Sequence, residues 1–330
     1  MRVTSKSVYM PFQRNLEEIQ SRRNLEQMKL STGKEFHSLS QGPENIVDAK
    51  NFTKKIDQNK KYIDIVDETT LELYEVDEKL KNFSDRIQKI REIAIESTAI
   101  GVNPGLSSLG FWIKGHMDDM INDLNSDYNG HYLFSGTKTT GQSINNIEGE
   151  NNKPFELIVE TPTIENPSGF KVVFKGNNEE RIINTDSKNV EKINVNANEI
   201  FTVNGKNIFE SVIDIYNTLS FRKDGERRIE AEPIAPDELK KINDLQAELA
   251  NIYDEVNKVS SRNGTKINRL TSLTEQLQNE NVRLQDYRSF KEDADMVDVS
   301  MNLKREENAL NYTLQVGGTL NNTTLFDFLR

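Results

Sequence analysis

Between positions 73 and 94, Leu73, Val76, Leu80, Phe83, Ile87, Ile90 and Ala94 recur at alternating steps of three and four. That spacing is a coiled-coil seam, a narrow apolar stripe that needs a partner helix along its length. Ala49, Phe52, Ile56, Ile63 and Val66 carry the stripe back toward Pro43 and Glu44. A helix starts well there, because proline is tolerated in the first turn and an acid suits the positive end of the dipole. Nothing breaks the pattern before Gly101, although one step at Thr69 and Thr70 slips out of register and predicts a local disturbance of the supercoil. At 1.5 Å per residue the helix would run roughly 85 Å, far beyond a compact domain, so the chain predicts a rod and a second long helix to cover it.

The second helix is found beyond Pro233 and Pro236, starting at Asp237 and Glu238. Its stripe is Ile242, Leu245, Leu249, Ile252, Val256 and Val259, then Leu270, Leu273, Leu277 and Leu284 to Tyr287. Gly264 falls inside it at a cost of about 1 kcal/mol against alanine, which the flanking seams can absorb. Between the two long helices, Gly101 to Gly105 predict a turn, and Leu109, Ile113, Met117, Met120, Leu124 and Tyr128 predict an amphipathic helix closed by Asn129 and Gly130. From His131 to about Glu232 the pattern turns β-rich, with runs at 155–160, 170–175 and 190–203 and one helix from Ile208 to Leu219.

Short-striped arms flank all of this. Residues 3–30 predict a helix with Tyr9, Phe12, Leu16 and Ile19 on one face. Residues 292–330 predict another, marked by Val297, Met301, Leu310 and Leu314 and ending in Leu325, Phe328 and Leu329, with Gly317 and Gly318 loosening its end. The stripes fit two arrangements: the arms pair with each other, or they order only against neighbouring subunits. The fold class is mainly α with a β-rich insert. It divides into a terminal helical part (1–42 with 291–330), a long-helix part (43–136 with 236–290) and an outer β-rich part (137–235).

Composition narrows the function. The 42 basic and 53 acidic side chains leave a net charge of −11 with no basic block, so neither nucleic acid nor an anionic membrane is an expected partner. The absence of cysteine removes disulfides, thiolate metal sites and thiol nucleophiles. No run approaches the roughly 18 apolar residues of a membrane span, and the first 30 residues lack the apolar core of a secretory signal, so export would use a route without a cleaved signal.

Local motifs then add a resemblance. Leu30-Ser31-Thr32-Gly33-Lys34, the stretch Ser40 to Pro43, Asn129-Gly130-His131-Tyr132-Leu133-Phe134-Ser135-Gly136-Thr137, Glu292-Asp293-Ala294-Asp295 and the ends of the chain stand in this nested order. The plan resembles the flagellin-like proteins, and most closely the flagellar hook-filament junction family, hook-associated protein 3. Gln41 and Gly42 occupy the place of two aspartates in that family's pattern. The matches cover both ends of the chain and hardly touch the middle.

The resemblance implies a secreted structural subunit of the extracellular flagellum, exported through the flagellar type III channel with a chaperone on its C-terminal arm. It implies a ring of about eleven copies between the other hook-associated protein and flagellin, with the terminal helices inside, the long helices outside and the insert facing solvent. The same features fit flagellin itself, or an adhesin using the insert.

Chemistry has weaker claims. His116, Asp119 and Asp123 stand at helical spacing, but a solvated face explains the same letters better than a metal site. No Walker loop, dinucleotide fingerprint or nucleophile elbow is present, so no enzyme activity and no cofactor are expected. Trp112 is expected to anchor the packing of its helix. Pro233-Ile234-Ala235-Pro236 is expected to serve as a stiff hinge rather than a PxxP ligand.

Overall fold

The heptad stripe folds as its spacing requires. In the computed structural model, which describes residues 5–99, 105–140, 153–203, 205–229 and 232–326 and the side chains of all these but 5–8, 203 and 320–326, α1 spans Ser5–Thr32 and α2 spans Pro43–Ser97. α3 is Leu106–Leu124. Then come β1 (Asp127–Tyr128), β2 (His131–Tyr132), β3 (Phe155–Val159), β4 (Phe170–Phe174), β5 (Ile182–Asn184) and β6 (Val190–Lys192). α4 (Ala197–Phe201), β7 (Thr202–Val203), β8 (Lys206–Asn207), α5 (Ile208–Ser220), α6 (Pro236–Glu292) and α7 (Met296–Phe326) complete the chain. The strands pair only as neighbouring antiparallel hairpins, β1-β2, β3-β4, β5-β6 and β7-β8. The turn expected at 101–104 lies outside the described residues.

Two compact units result, one of residues 1–60 and 278–330 and one of residues 61–277. In the second, Val76, Leu80, Phe83, Ile87, Ile90 and Ala94 of α2 are each at most 2% exposed. They share one core with Ile242, Leu249, Ile252, Val256 and Val259 of α6, with the α3 stripe, and with Phe209, Val212 and Leu219 of α5. Each such side chain supplies about 1.5–3 kcal/mol on burial. The seam is therefore part of a four-helix core over this stretch, wider than the two-helix contact its spacing implies. Gly110 makes one of these contacts possible, since a Cβ there would stand 2.2 Å from Ser220 Oγ.

Leu73 belongs elsewhere. With Val66, Ile267 and Leu270 it forms a separate small core. Near it, Thr69 and Thr70 bond back to the carbonyls of Ile65 and Val66, and Asn263, 1% exposed, donates to the Leu73 carbonyl at 2.9 Å. The slipped register at Thr69 and Thr70 is thus accompanied by a polar layer. α2 and α6 run antiparallel here, as Asp67–Thr274, Asp77–Ser260 and Ser84–Asn257 contacts show.

Several expectations need correction. Tyr128 is not on α3: the helix ends at Asn125, and Asn129 and Gly130, with φ of 51° and 79°, form the two-residue turn of the β1-β2 hairpin. Consecutive positive φ values suit a primed hairpin turn better than a helix end. The run at 190–203 is not one strand. After β6, Ala197 and Ile200 are buried three residues apart, a helical spacing, and fold as α4. Trp112 is no anchor, being 49% exposed, because the α3 stripe of Leu109, Ile113, Met117 and Met120 turns the neighbouring position outward. Gly317 and Gly318 do not loosen α7, which continues through both.

Candidate subunit interface

The terminal arms meet in the first unit as an antiparallel pair. Arg22 contacts Glu306 at 3.2 Å, the Lys34 backbone bridges to Asp293, and Phe12 lies against Gly317. A Cβ on Gly317 would stand 2.4 Å from Phe12 Cζ, so the missing side chain is what admits the ring. Phe12 and Leu16 are half-buried and Ile19 is buried on α1. On α7 the inward positions are Val299, Leu303, Glu306, Leu310 and Gly317, all buried or half-buried at helical spacing.

The sequence stripe on α7 is therefore split between two faces. Leu310 points toward α1, but Val297, Met301 and Leu314 are 67%, 56% and 51% exposed, joined by Tyr312 and Val316. Val299, 3% exposed, was not among the apolar markers although it lies one turn from Leu303 on the same face. Tyr9 on α1 is half exposed. Phe328 and Leu329 lie outside the described residues, as does the side chain of Leu325. The pair thus closes its inner faces within one chain and leaves an apolar outer face on α7 uncovered.

The Leu30 to Lys34 motif locks the base of this pair. Gly33 has φ of 70° and ends α1 in the left-handed conformation that glycine favours. Its carbonyl accepts from Ala294 N at 2.9 Å, and the Glu292 carbonyl accepts from Glu35 N at 2.8 Å. Lys34 Nζ donates to Glu292 and Asp293, both at 2.6 Å. Ser31 and Thr32 bond back to the Met28 carbonyl. Burial opposes the Lys34 charge, but hydrogen bonds to Asp293 and Glu292 outweigh it and raise the lysine above its ordinary value. Lys34 and the Ser289 hydroxyl together hold Asp293 below the usual carboxylate range. Asp295 then caps α7 by accepting from Val297 N.

The two departures from the acidic pattern also have local uses. Gln41 Oε1 accepts from the backbone of His37 and Ser38, and Gly42 leaves room for Phe36, whose ring would stand 2.8 Å from a Cβ there.

The second motif ties the insert down. Beyond the Asn129-Gly130 turn, Tyr132 N donates to Thr139 O, while Leu133, Phe134 and Ser135 are buried. Gly136, at φ 70°, passes so close to Asn177 that a Cβ would meet its carbonyl at 2.2 Å. Asn177 in turn bonds the backbone and hydroxyl of Thr137. Arg181 reaches across to α2 and grips Glu72 with two bonds of 2.5 and 3.0 Å.

The histidine and its neighbouring acids do not assemble a centre. Asp119 pairs with Arg86 at 3.4 Å, while desolvation lowers His116 and raises Asp123. Among the described residues no group of three potential metal ligands comes together, and no helix is long and apolar enough to cross a membrane.

No protein-family model matches this sequence, and no curated protein matches it by sequence. Solved structures do match its fold. One from Vibrio parahaemolyticus, described as a flagellar hook-associated protein, is 17% identical with a TM-score of 0.61, covering 76% of this chain and 99% of its own. A flagellar hook-associated protein-3 from Legionella pneumophila is 12% identical with a TM-score of 0.55, covering 73% of this chain and 96% of its own. A flagellar junction protein from the same organism is 11% identical at 0.54, covering 76% and 99%.

Proposed function

We propose that the chain is a structural subunit of the bacterial flagellum, standing at the junction of hook and filament and joining its neighbours through the terminal helix pair. The fold shared with hook-associated and junction proteins supports this reading. The observation that carries it is the outer face of α7, where Val297, Met301, Tyr312 and Val316 are all more than half exposed on a helix already paired on its other side. Two faces on one helix suit an element that folds against its own chain and then packs against another copy, which makes assembly stabilise the folded arms by mass action. On this reading the protein is extracellular and is no enzyme. Its partners are further copies in a ring of about eleven, the other hook-associated protein, flagellin and an export chaperone, as the junction-family resemblance implies.

Copy number in purified flagella separates a junction subunit from flagellin. A few copies per filament accord with the junction, and thousands would replace it with the filament subunit. A strain lacking the protein that swims normally and keeps its filaments would overturn both.

A further inference from the structure

The outer surface of α2 changes character between the two units. In the second unit, Leu71 and Tyr74 are 56% and 54% exposed, large apolar groups beside the acids Asp64, Glu68 and Glu75. These positions lie three, four and seven apart and so share one side of the helix, with Glu78 extending it. None of Asp64, Glu68 and Glu75 forms an ion pair among the described residues, and Glu78 has only Lys79 at 3.8 Å. Asp64 with Glu68 and Glu75 with Glu78 are like-charge neighbours of the kind that destabilise an isolated helix.

The first unit carries the counterpart. Val47 is 47% exposed there, and Lys50 and Lys54 are exposed at the same three-four spacing, followed by one acid, Asp57. These lysines too form no ion pair among the described residues, and Lys50 with Lys54 is again a like-charge neighbour pair. The two surfaces carry opposite excess charge and so complement each other.

Net charge points the same way. Residues 1–60 and 278–330 hold 17 Lys and Arg against 16 Asp and Glu, a balance of +1. Residues 61–277 therefore hold the remaining 25 against 37, a balance of −12. Contact of one acidic unit with another is opposed by charge, whereas contact of the acidic unit with a neutral unit bearing a lysine row is not.

We infer that the acidic, apolar face of α2 around Leu71 and Tyr74 docks the lysine-bearing face of α2 around Lys50 and Lys54 in a second copy. The contact is heterologous: each copy keeps one free face of each kind, so addition continues until a ring closes or a helical assembly grows. This rests on the self-assembly proposed above and adds to it a second contact, outside the terminal helices, that sets which copy follows which.

Sedimentation velocity over a concentration series, with circular dichroism to verify the fold, tests the contact in the full chain. Glu68→Lys with Glu75→Lys, or Lys50→Glu with Lys54→Glu, is expected to weaken self-association by about tenfold or more, given the energies of close interfacial charge pairs. The neutral pair Glu68→Gln with Glu75→Gln weakens it less. All four reversals in one chain restore it. Failure of that combined variant to recover, or wild-type association in either reversed pair, overturns the contact. If Met301→Lys, on the exposed face of α7, abolishes association while both reversed pairs associate normally, the terminal-helix reading stands and this one falls. A wild-type chain that stays monomeric at every concentration overturns both.

Discussion

Lys34 and Asp293 show how a few polar atoms fix the meeting of three helix ends. Asp293 has a depressed pKa in the fold, so its contribution is present above the ordinary aspartate value of about 3.9 and is lost as pH falls through the lower folded value. Lys34, raised, contributes fully below the ordinary lysine value of about 10.4 and loses that contribution only as pH rises through the higher folded value. Protection of the Glu35 and Ala294 amides, which bond across the clasp, measured against their intrinsic exchange rates, is therefore expected to stay high through neutral pH and fall in acid. Asp293→Asn should remove the acid-side dependence. Gly317 acts by absence. Gly317→Val drives a side chain into the Phe12 ring and should cost about 1–3 kcal/mol in overpacking, read as a lower midpoint in urea. The motif letters from Leu30 to Lys34 were legible as a unit, but their partner was not. Nothing in a linear pattern says that position 34 meets position 293.

At the level of elements, the α6 start is closed by a buried ion pair. Arg228 Nη2 meets Glu238 at 2.6 Å with both side chains nearly inaccessible, and Glu238 also accepts from Ala235 N while Arg228 holds the Thr218 carbonyl. The stiff hinge expected at Pro233 to Pro236 thus precedes a pinned joint: Pro236 opens the helix and Glu238 caps it. Glu238→Ala strands the guanidinium and should cost about 3–5 kcal/mol, measured by urea denaturation. Asn263 has the opposite sign. Its Oδ1 is buried without a partner among the described residues, so Asn263→Leu should raise stability while loosening the α2–α6 register, detectable as broader methyl resonances. Long helices were readable because a stripe repeated over many turns outvotes any single residue. Short elements were not: Asn129-Gly130 serves a helix end or a hairpin with the same letters, and α4 is a single turn whose choice depends on where Ala197 and Ile200 are buried.

For the molecule as a whole, an excess of acid confined to residues 61–277 leaves the terminal unit near neutrality, where copies can approach at least cost. Removing residues 320–330, or placing lysine at the exposed Met301, is expected to leave helicity nearly unchanged and stop incorporation into flagella. Electron microscopy of the mutant filaments checks this, and normal assembly would refute it. Limited proteolysis of the monomer should trim both ends first and spare a core from about residue 45 to 285, because the pair formed by α1 and α7 buries one narrow face while the second unit buries whole side-chain layers. The sequence alone determined the long helices and their order, since periodicity is a local property that no partner has to supply. Tertiary structure decided which side of α7 faces α1, that the seam widens into a four-helix core, and that Lys34 clasps Asp293. Those depend on distances between residues far apart in the chain, which only packing sets.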